Sequence, residues 1–289
     1  MEYLGLTPAP PLDTFVERIW YCSDTPPHNR ERVLPSGGSL GLAFNLVEDE
    51  LRIYDPDDPG SVRAHSGALV CGTYTRSYLY DPRQRASVVG VHFRPGGAFP
   101  FLGVSPSELV DSHVPLDDVW GSSARSLREQ LLESGSPHQR LRLVEAALLS
   151  RLRRARAGHP AVFAAVAALG ATGDAARVAD VAARVNLSRR RLIEVFEREV
   201  GLTPKLYARL QRFDHVKKRI ATLGGPPSWA TFAVACGYFD QSHMLRDFME
   251  FSSMSSASYL QGKGAETMFD HVVHAYPSHP GRSRSGNGC

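Results

Sequence analysis

Residues 177–201 read RVADVAARVNLSRRRLIEVFEREVG. Val181 and Val185 stand four residues apart, so they share one face of a predicted helix. Asn186 follows, where a turn needs a residue that tolerates a left-handed backbone. Ser188 is the expected N-cap of the next helix. The stretch therefore predicts two short helices joined by a tight turn.

The second of these helices is predicted to have a buried face and a polar face. Leu192, Val195 and Phe196 are expected to point inward. An arginine can donate two hydrogen bonds to a guanine edge, and a glutamate can accept from cytosine. The residues expected to contact DNA are Ser188, Arg189, Arg190, Arg191 and Glu194. Taken alone, the segment fits a solvated helical bundle equally well.

A longer helix is predicted directly downstream. Thr203 is placed to cap it and Pro204 occupies its first position. Leu210, Phe213 and Ile220 form an apolar stripe along it. A rod of about 20 residues spans about 30 Å, which is close to one turn of DNA.

A second pair of helices is predicted in residues 228–248, SWATFAVACGYFDQSHMLRDF. Ser228 and Asp240 are the expected N-caps, and Gly237 allows the sharp turn between the helices. The outward residues near the start of the second helix are Gln241, Ser242, His243 and Arg246. A half-buried His243 that contacts only its own domain is an equally open alternative.

The two motifs in this order, over about residues 160–261, resemble the AraC/XylS family of transcription regulators. The resemblance implies a sequence-specific regulator that binds double-stranded DNA, with two half-sites read by one domain. It also implies a β-rich N-terminal domain that senses a small molecule or mediates dimerisation. RNA polymerase, a small-molecule effector and a second copy of the chain are therefore considered as further partners.

The sequence departs from the family pattern at three positions. Asn186 and Ser253 stand where glycine is usual, and Ser256 stands where proline is usual. Asparagine tolerates the left-handed backbone, so the first change is expected to matter little. The missing proline is expected to loosen the last helix.

Positive charge is concentrated in this third of the chain. The formal net charge of the 289 residues is only +3. Between residues 184 and 219 the basic residues are Arg184, Arg189, Arg190, Arg191, Arg198, Lys205, Arg209, Arg212, Lys217, Lys218 and Arg219. We expect this cluster to face DNA, with Lys217 and Lys218 as candidate phosphate contacts. A solvated helix face is the plainer alternative.

Composition argues against several other classes of protein. No apolar run approaches the roughly 20 residues of a membrane span, and residues 1–5 lack the start of a signal peptide, so a cytoplasmic location without membrane contact is expected. The four cysteines, Cys22, Cys71, Cys236 and Cys289, have no metal-ligand spacing. Neither a disulfide framework, a zinc site nor a cofactor is expected.

The N-terminal part is predicted to be mainly β, and the whole chain α+β. Alternating runs at residues 40–46 and 87–93, separated by Gly- and Pro-rich turns, indicate a small antiparallel β-barrel or cupin-like domain. Helical periodicity then indicates a linker, and the C-terminal domain is predicted to be all α. The predicted boundaries are 1–121 for the β domain, 122–158 for the helical linker, 159–262 for the DNA-binding domain and 263–289 for a disordered tail.

The linker and the β domain each leave alternatives open. The apolar stripe from Leu127 to Leu152 fits dimer packing or core packing equally well. Aromatic and polar residues that could line a ligand pocket in the β domain are Trp20, Phe44, Tyr74, Tyr78, Tyr80, His92 and Arg94. Burial in the core is the competing interpretation of these aromatics.

Two enzyme classes and one binding class compete for the β domain. A metal-dependent cupin-like enzyme needs clustered ligands, but His65, His92 and His113 are scattered. An alkyl-transfer repair protein needs a reactive cysteine in a zinc cluster, which Cys22 and Cys71 do not provide. The expectation is therefore that the chain is not an enzyme. A β domain that binds only another protein, or itself, remains open.

Overall fold

The computed structural model describes residues 2–23, 31–55, 57–58, 60–155, 158–171, 177–223 and 228–261. The predicted tail at 263–289 and Cys289 lie outside the described residues. Among the residues that are described, no helix combines the length and the apolar character needed to cross a membrane.

The N-terminal part contains ten strands in two antiparallel sheets. They are β1 (Glu2–Leu6), β2 (Val16–Ser23), β3 (Glu31–Val33), β4 (Gly41–Asn45), β5 (Glu50–Tyr54), β6 (Val62–Ser66), β7 (Ala68–Cys71), β8 (Tyr78–Tyr80), β9 (Ser87–Phe93) and β10 (His113–Pro115). One sheet has the order β1-β2-β9-β4-β7-β10 and the other β3-β8-β5-β6. The α+β prediction is confirmed, although the six described strands of the larger sheet do not close into a barrel.

Eleven α-helices lie in the described residues after β9. Those next to the sheets are α1 (Phe99–Leu102), α2 (Leu116–Trp120), α3 (Ser122–Glu133) and α4 (Pro137–Leu152). The C-terminal helices are α5 (Ala161–Gly170), α6 (Val178–Arg184), α7 (Arg189–Val200), α8 (Pro204–Ala221), α9 (Trp229–Ala235), α10 (Gln241–Ser252) and α11 (Ser256–Gln261). The predicted all-α C-terminal domain is thus confirmed over the described residues.

The linker helices belong to the core of the β domain. Leu131, Val144 and Leu148 are fully buried in the same apolar cluster as Leu42 and Phe44 of β4. Each of α3 and α4 presents one apolar face to the larger sheet, since their buried residues recur at three- and four-residue steps. Of the two interpretations of the Leu127–Leu152 stripe, core packing within one chain is therefore the one observed.

The second core belongs to α5–α11, but one of its residues comes from the N-terminal part. It includes Leu192, Phe196, Phe213 and Phe248, all buried. Leu34, which directly follows β3, is 4% exposed and lies in this same cluster. The segment between β3 and β4 therefore completes the core of the C-terminal domain.

Candidate nucleic-acid interface

The first helix-turn-helix unit is formed by α6 and α7. Asn186 has a φ of 55°, as the tight turn requires, and the backbone N–H of Leu187 donates to the carbonyl of Ala182 at 2.9 Å. The Oγ of Ser188 accepts from the backbone N–H of Arg191 at 3.2 Å, which caps α7. The predicted turn and cap are both present.

The two faces of α7 differ as expected. Leu192, Val195 and Phe196 have no exposed surface. The polar residues of the opposite face are exposed: Ser188, Arg189, Arg190, Arg191 and Glu194. One of them is partly engaged, because Arg191 Nη1 lies 3.0 Å from Glu194 Oε1. The side chains of Ser188, Arg189 and Arg190 are exposed to solvent at the N-terminal end of α7.

The second unit repeats this geometry in α9 and α10. Gly237 has a φ of 79°, and the backbone N–H of Tyr238 donates to the carbonyl of Ala233 at 3.0 Å. Asp240 Oδ1 accepts from the backbone N–H of His243 at 2.7 Å and so caps α10. The turn bond thus spans the same five positions in both units.

Ser228 does not act as the predicted cap. It occupies the N-cap position of α9, but its side chain accepts no backbone hydrogen bond. Its Oγ lies 3.4 Å from Oγ1 of Thr231.

The exposed side of α10 carries the other residues predicted to contact DNA. Ser242 and Arg246 are exposed, whereas Gln241 and His243 are half-buried. The ring of His243 packs edge-on against Tyr238, with 5.3 Å between ring centroids. His243 therefore has an intradomain packing contact, while Arg246 is open to solvent.

The connecting helix α8 is anchored to α10 by charge. Thr203 Oγ1 caps α8 by accepting from the backbone N–H of Leu206 at 3.1 Å. Arg209 Nη2 lies 2.7 Å from Asp247 Oδ1 and 2.6 Å from Glu250 Oε2. Burial acts to lower the pKa of Arg209, but its hydrogen bonds to Glu250 and Asp247 raise that pKa above its ordinary value. These ion pairs join α8 to α10.

Two members of the basic cluster contact other protein groups, although the whole cluster was expected to face DNA. Arg209 is occupied by the acidic residues of α10. Lys217 is 4% exposed, and its Nζ donates to the carbonyl oxygen of Pro35 at 2.8 Å. The expectation that Lys217 contacts phosphate is therefore wrong, because the periodicity that buries Phe213 also turns Lys217 inward. Lys218 remains half-exposed beside Asp214.

Contacts from the N-terminal part reach both α7 and α8. The carbonyl of Arg198 in α7 accepts from Ser105 Oγ at 2.9 Å. On α8, Gln211 Nε2 bonds the carbonyl of Gly37. Burial acts to raise the pKa of Asp214, but the charges of Lys217 and Lys218 lower it below its usual value. The contacts of Ser105 and Gly37 with these two helices were not foreseen, because the sequence does not show which loop meets which helix.

The predicted ligand-pocket residues lie at separate places in the β domain. Trp20 and Phe44 are fully buried in two different apolar clusters. Tyr80 donates from its hydroxyl to Glu31 Oε2 at 3.0 Å. His92 Nε2 lies 3.7 Å from Glu17 Oε2.

The remaining three are divided between the surface and one small cavity. Arg94 Nε donates to the carbonyl of Asp13 at 2.9 Å on the surface. Tyr74 and Tyr78 stack with 4.3 Å between ring centroids. Both line a cavity of about 80 Å³. The Tyr74–Tyr78 pair also packs with Tyr80 in one apolar cluster, so the structure brings together three of the seven residues.

A buried histidine that the sequence did not single out as a pocket residue lies beside this pair. His113 Nδ1 and the hydroxyl of Tyr74 are 2.5 Å apart. Burial, with a smaller contribution from the nearby charge of His65, lowers the pKa of His113 to about 3. The ring is therefore neutral at physiological pH.

No metal-binding group emerges from the part of the chain that the structure describes. Within it, no three His, Cys, Asp or Glu residues are grouped so that they could hold an ion. Among the described residues, Cys22, Cys71 and Cys236 are buried and form no disulfide. Burial raises the pKa of Cys71 to about 12, so its thiol stays protonated.

Two family models match the chain. One, described as a domain of unknown function (DUF6597), matches residues 5–115, and the other, described as a helix-turn-helix domain, matches residues 181–262. A search of curated proteins finds no match.

Several solved structures are similar to part of this chain over nearly their whole length. A transcriptional regulator with an AraC-type DNA-binding domain from Chromobacterium violaceum is 19% identical, with 37% of this chain and 96% of that chain covered and a TM-score of 0.34. ToxT from Vibrio cholerae strain O395, bound to (E)-4-(8-methylnaphthalen-1-yl)but-3-enoic acid, is 11% identical, with 84% and 97% covered and a TM-score of 0.44. An apo ToxT variant from strain SCE256 is 11% identical, with 84% and 97% covered and a TM-score of 0.45. These values do not by themselves assign a ligand or a partner to this chain.

Proposed function

We propose that this chain is a DNA-binding transcription regulator whose C-terminal helix-turn-helix domain is of the AraC type and binds a specific duplex sequence through the first turns of α7 and α10. The proposal rests on three features that α7 and α10 share. Each has a buried apolar face, a side-chain cap at its N-terminus and exposed polar residues in its first turns. Such helix ends can enter a major groove with their N-termini towards the DNA.

Different residues are assigned different parts in recognition. In this proposal the helix N-termini and the basic residues bind phosphates. The residues that contact base edges are Arg190, Glu194, Ser242 and Arg246. Secondary contacts are assigned to Arg191, Gln241 and His243. Arg191 and Glu194 would exchange their mutual ion pair for contacts to DNA. An exposed pair of this kind contributes about 0–1 kcal/mol, so its loss costs little.

The length of α8 supports two half-sites on one face of the duplex. Its 18 residues correspond to about 27 Å at 1.5 Å per residue. This is of the same order as the roughly 34 Å of one DNA turn. One chain would therefore contact two successive major grooves.

The proposal is tested with the full chain rather than the isolated C-terminal domain, because Leu34 is part of that domain's core. Duplexes selected from a random library are titrated against unselected duplex at moderate salt. We expect the selected sequence to bind at least about 10³-fold more tightly. Equal affinity for both would contradict sequence-specific recognition.

Control by the N-terminal part is proposed as well, through a small molecule or through self-association. Its support is the set of contacts from Pro35, Gly37 and Ser105 to α7 and α8, because a rearrangement in the β domain would be transmitted to both helices. A thermal shift across a metabolite panel would identify a ligand. Sedimentation with and without that ligand would show whether association changes, and no response in either measurement would contradict this part of the proposal.

A further inference from the structure

A cavity of about 600 Å³ lies where the linker helices meet α7. Its apolar walls are formed by Phe99 and Phe101 of α1, Val104, Trp120 of α2 and Leu127 of α3. The volume is within the roughly 300–1,000 Å³ of small-molecule sites. It is separate from the small cavity beside Tyr74 and from every residue predicted to line a ligand pocket.

Three arginines lie around this cavity. Arg151 lies in the last turn of α4, Arg154 lies two residues after the end of that helix, and Arg198 comes from the last turns of α7. Arg198 is neutralised by Glu199, whose Oε1 lies 2.5 Å from Arg198 Nη2. Within the described residues, neither Arg151 nor Arg154 has a carboxylate within 4.0 Å. The positive charges of Arg151 and Arg154 therefore remain uncompensated beside the apolar walls of the cavity.

Arg151 is held in a fixed position by its neighbours. Its guanidinium carbon lies 4.0 Å from the ring centroid of Trp120. One nitrogen, Nη2, donates to Ser123 Oγ at 2.8 Å and to the carbonyl of Trp120 at 3.3 Å. The other two nitrogens have no bond to the described residues. Burial, and then the charge of Arg154, lower the pKa of Arg151, as expected where no anion balances the pair.

The position of these arginines at the end of α4 has a structural explanation as well. Cations complement the negative end of a helix dipole. That interaction accounts for Arg151 and Arg154 but not for the aromatic walls that face them. A preorganised guanidinium next to buried aromatic surface is the arrangement that binds an anion attached to an apolar body.

We propose that this cavity binds a small organic anion with a ring-containing apolar body. The carboxylate accepts from Arg151 and Arg154, and the body packs against Phe99, Val104 and Leu127. Such a ligand contacts the β domain, the linker and the end of α7 at once. The inference deepens the ligand-control part of the proposed function, on which it rests, by assigning a ligand class and a place.

The test uses the full chain without DNA, so its outcome is independent of the DNA-binding part of the proposed function, and its failure would leave that part standing. Biphenyl-4-carboxylate is titrated by calorimetry beside biphenyl-4-carboxamide, which has the same shape without the charge. The variant is Arg154→Gln, because Arg154 is exposed and its loss should not disturb folding. The matched control is Arg153→Gln, the adjacent exposed arginine, which does not line the cavity.

We expect the carboxylate to bind at least about tenfold more tightly than the amide, and Arg154→Gln to lose about tenfold in affinity for it. Arg153→Gln should bind like the parent protein. Equal binding of the two probes, equal loss in the two variants, or no binding of the carboxylate at about 1 mM would each overturn the proposal.

Discussion

Lys217 in α8 donates a hydrogen bond from Nζ to the carbonyl oxygen of Pro35, at 2.8 Å and across 182 residues of sequence. The same ammonium lies 3.2 Å from Asp214 Oδ1, and both side chains are shielded from solvent. A buried lysine needs such partners, because an unpaired charge in this position would be strongly unfavourable. The contact therefore joins the β domain to α8, the helix between the two helix-turn-helix units.

Replacing Lys217 by methionine should destabilise the protein. The change removes the donor to Pro35 and one of two cations beside Asp214, so we expect a loss of about 2 kcal/mol in the free energy of unfolding. Urea unfolding followed by circular dichroism measures it. Lys205→Met is the matched control, since Lys205 is exposed on the same helix. An equal effect of the two substitutions would contradict a stabilising role for the buried contact.

Truncating Leu34 should weaken the C-terminal domain, although Leu34 precedes it by more than a hundred residues. Leu34→Ala removes a buried side chain from the cluster around Phe213, for which we expect a cost of about 2–4 kcal/mol. Faster hydrogen exchange in α8 would report it. Leu132→Ala, in an exposed position of α3, is the control and should leave that exchange unchanged. Normal protection of α8 in the Leu34 variant would argue that the segment is dispensable.

Ser253 holds a left-handed backbone at the end of α10, with a φ of 55°. Glycine adopts this conformation without the steric cost that a side chain adds. Ser253→Gly should therefore raise the free energy of unfolding by about 0.5–1 kcal/mol. Asn186→Gly, also at a φ of 55°, should gain less because asparagine tolerates this region. The thermal midpoints of the two variants test the order, and a larger gain at Asn186 would contradict it.

Local chemistry made the helix-turn-helix units predictable. The turn at Asn186, the caps at Ser188, Thr203 and Asp240, and the buried face of α7 each depend on residues within one or two helical turns. Ser256, at the missing proline, still begins a helix and is buried, so the loosening expected there is not evident.

Long-range packing made the rest unpredictable. Lys217 looks like a surface cation in the sequence, because the carbonyl that accepts its hydrogen bond belongs to a distant loop. The seven predicted pocket residues do not all lie together, for a related reason. Strand alternation predicts that Trp20 and Phe44 point inward. It does not predict which apolar cluster each side chain joins, because this depends on the order of the strands in the sheet.

His113 should make stability depend on pH. Its pKa is about 3 in the folded protein and about 6.5 in the unfolded chain, so the unfolded chain binds the extra proton between these values. Stability is therefore lost as pH falls from 6.5 towards 3, by up to about 1.4 kcal/mol per pH unit. In His113→Asn this contribution should be absent. Urea midpoints of both proteins at pH 7, 6, 5 and 4 test it, and parallel curves would show that His113 does not titrate in this way.

Arg246 should be a determinant of DNA specificity rather than of affinity alone. It is exposed in the second turn of α10, whose buried neighbours Met244 and Phe248 fix the direction of its side chain. Because a guanidinium that bonds a base edge discriminates between bases, Arg246→Ala should cost about 1–3 kcal/mol of binding free energy on the selected site and relax the preference at one base pair.

Lys218→Ala should instead weaken binding to all sequences evenly and reduce the salt dependence of binding, if Lys218 contacts phosphate. A panel of single-base site variants, titrated at two salt concentrations, separates these effects. Arg142→Ala is the control, since Arg142 is exposed on α4 and pairs with Glu145. Unchanged discrimination in Arg246→Ala across the whole panel would remove this residue from base recognition and would leave α10 with Gln241, Ser242 and His243 as the groups to examine.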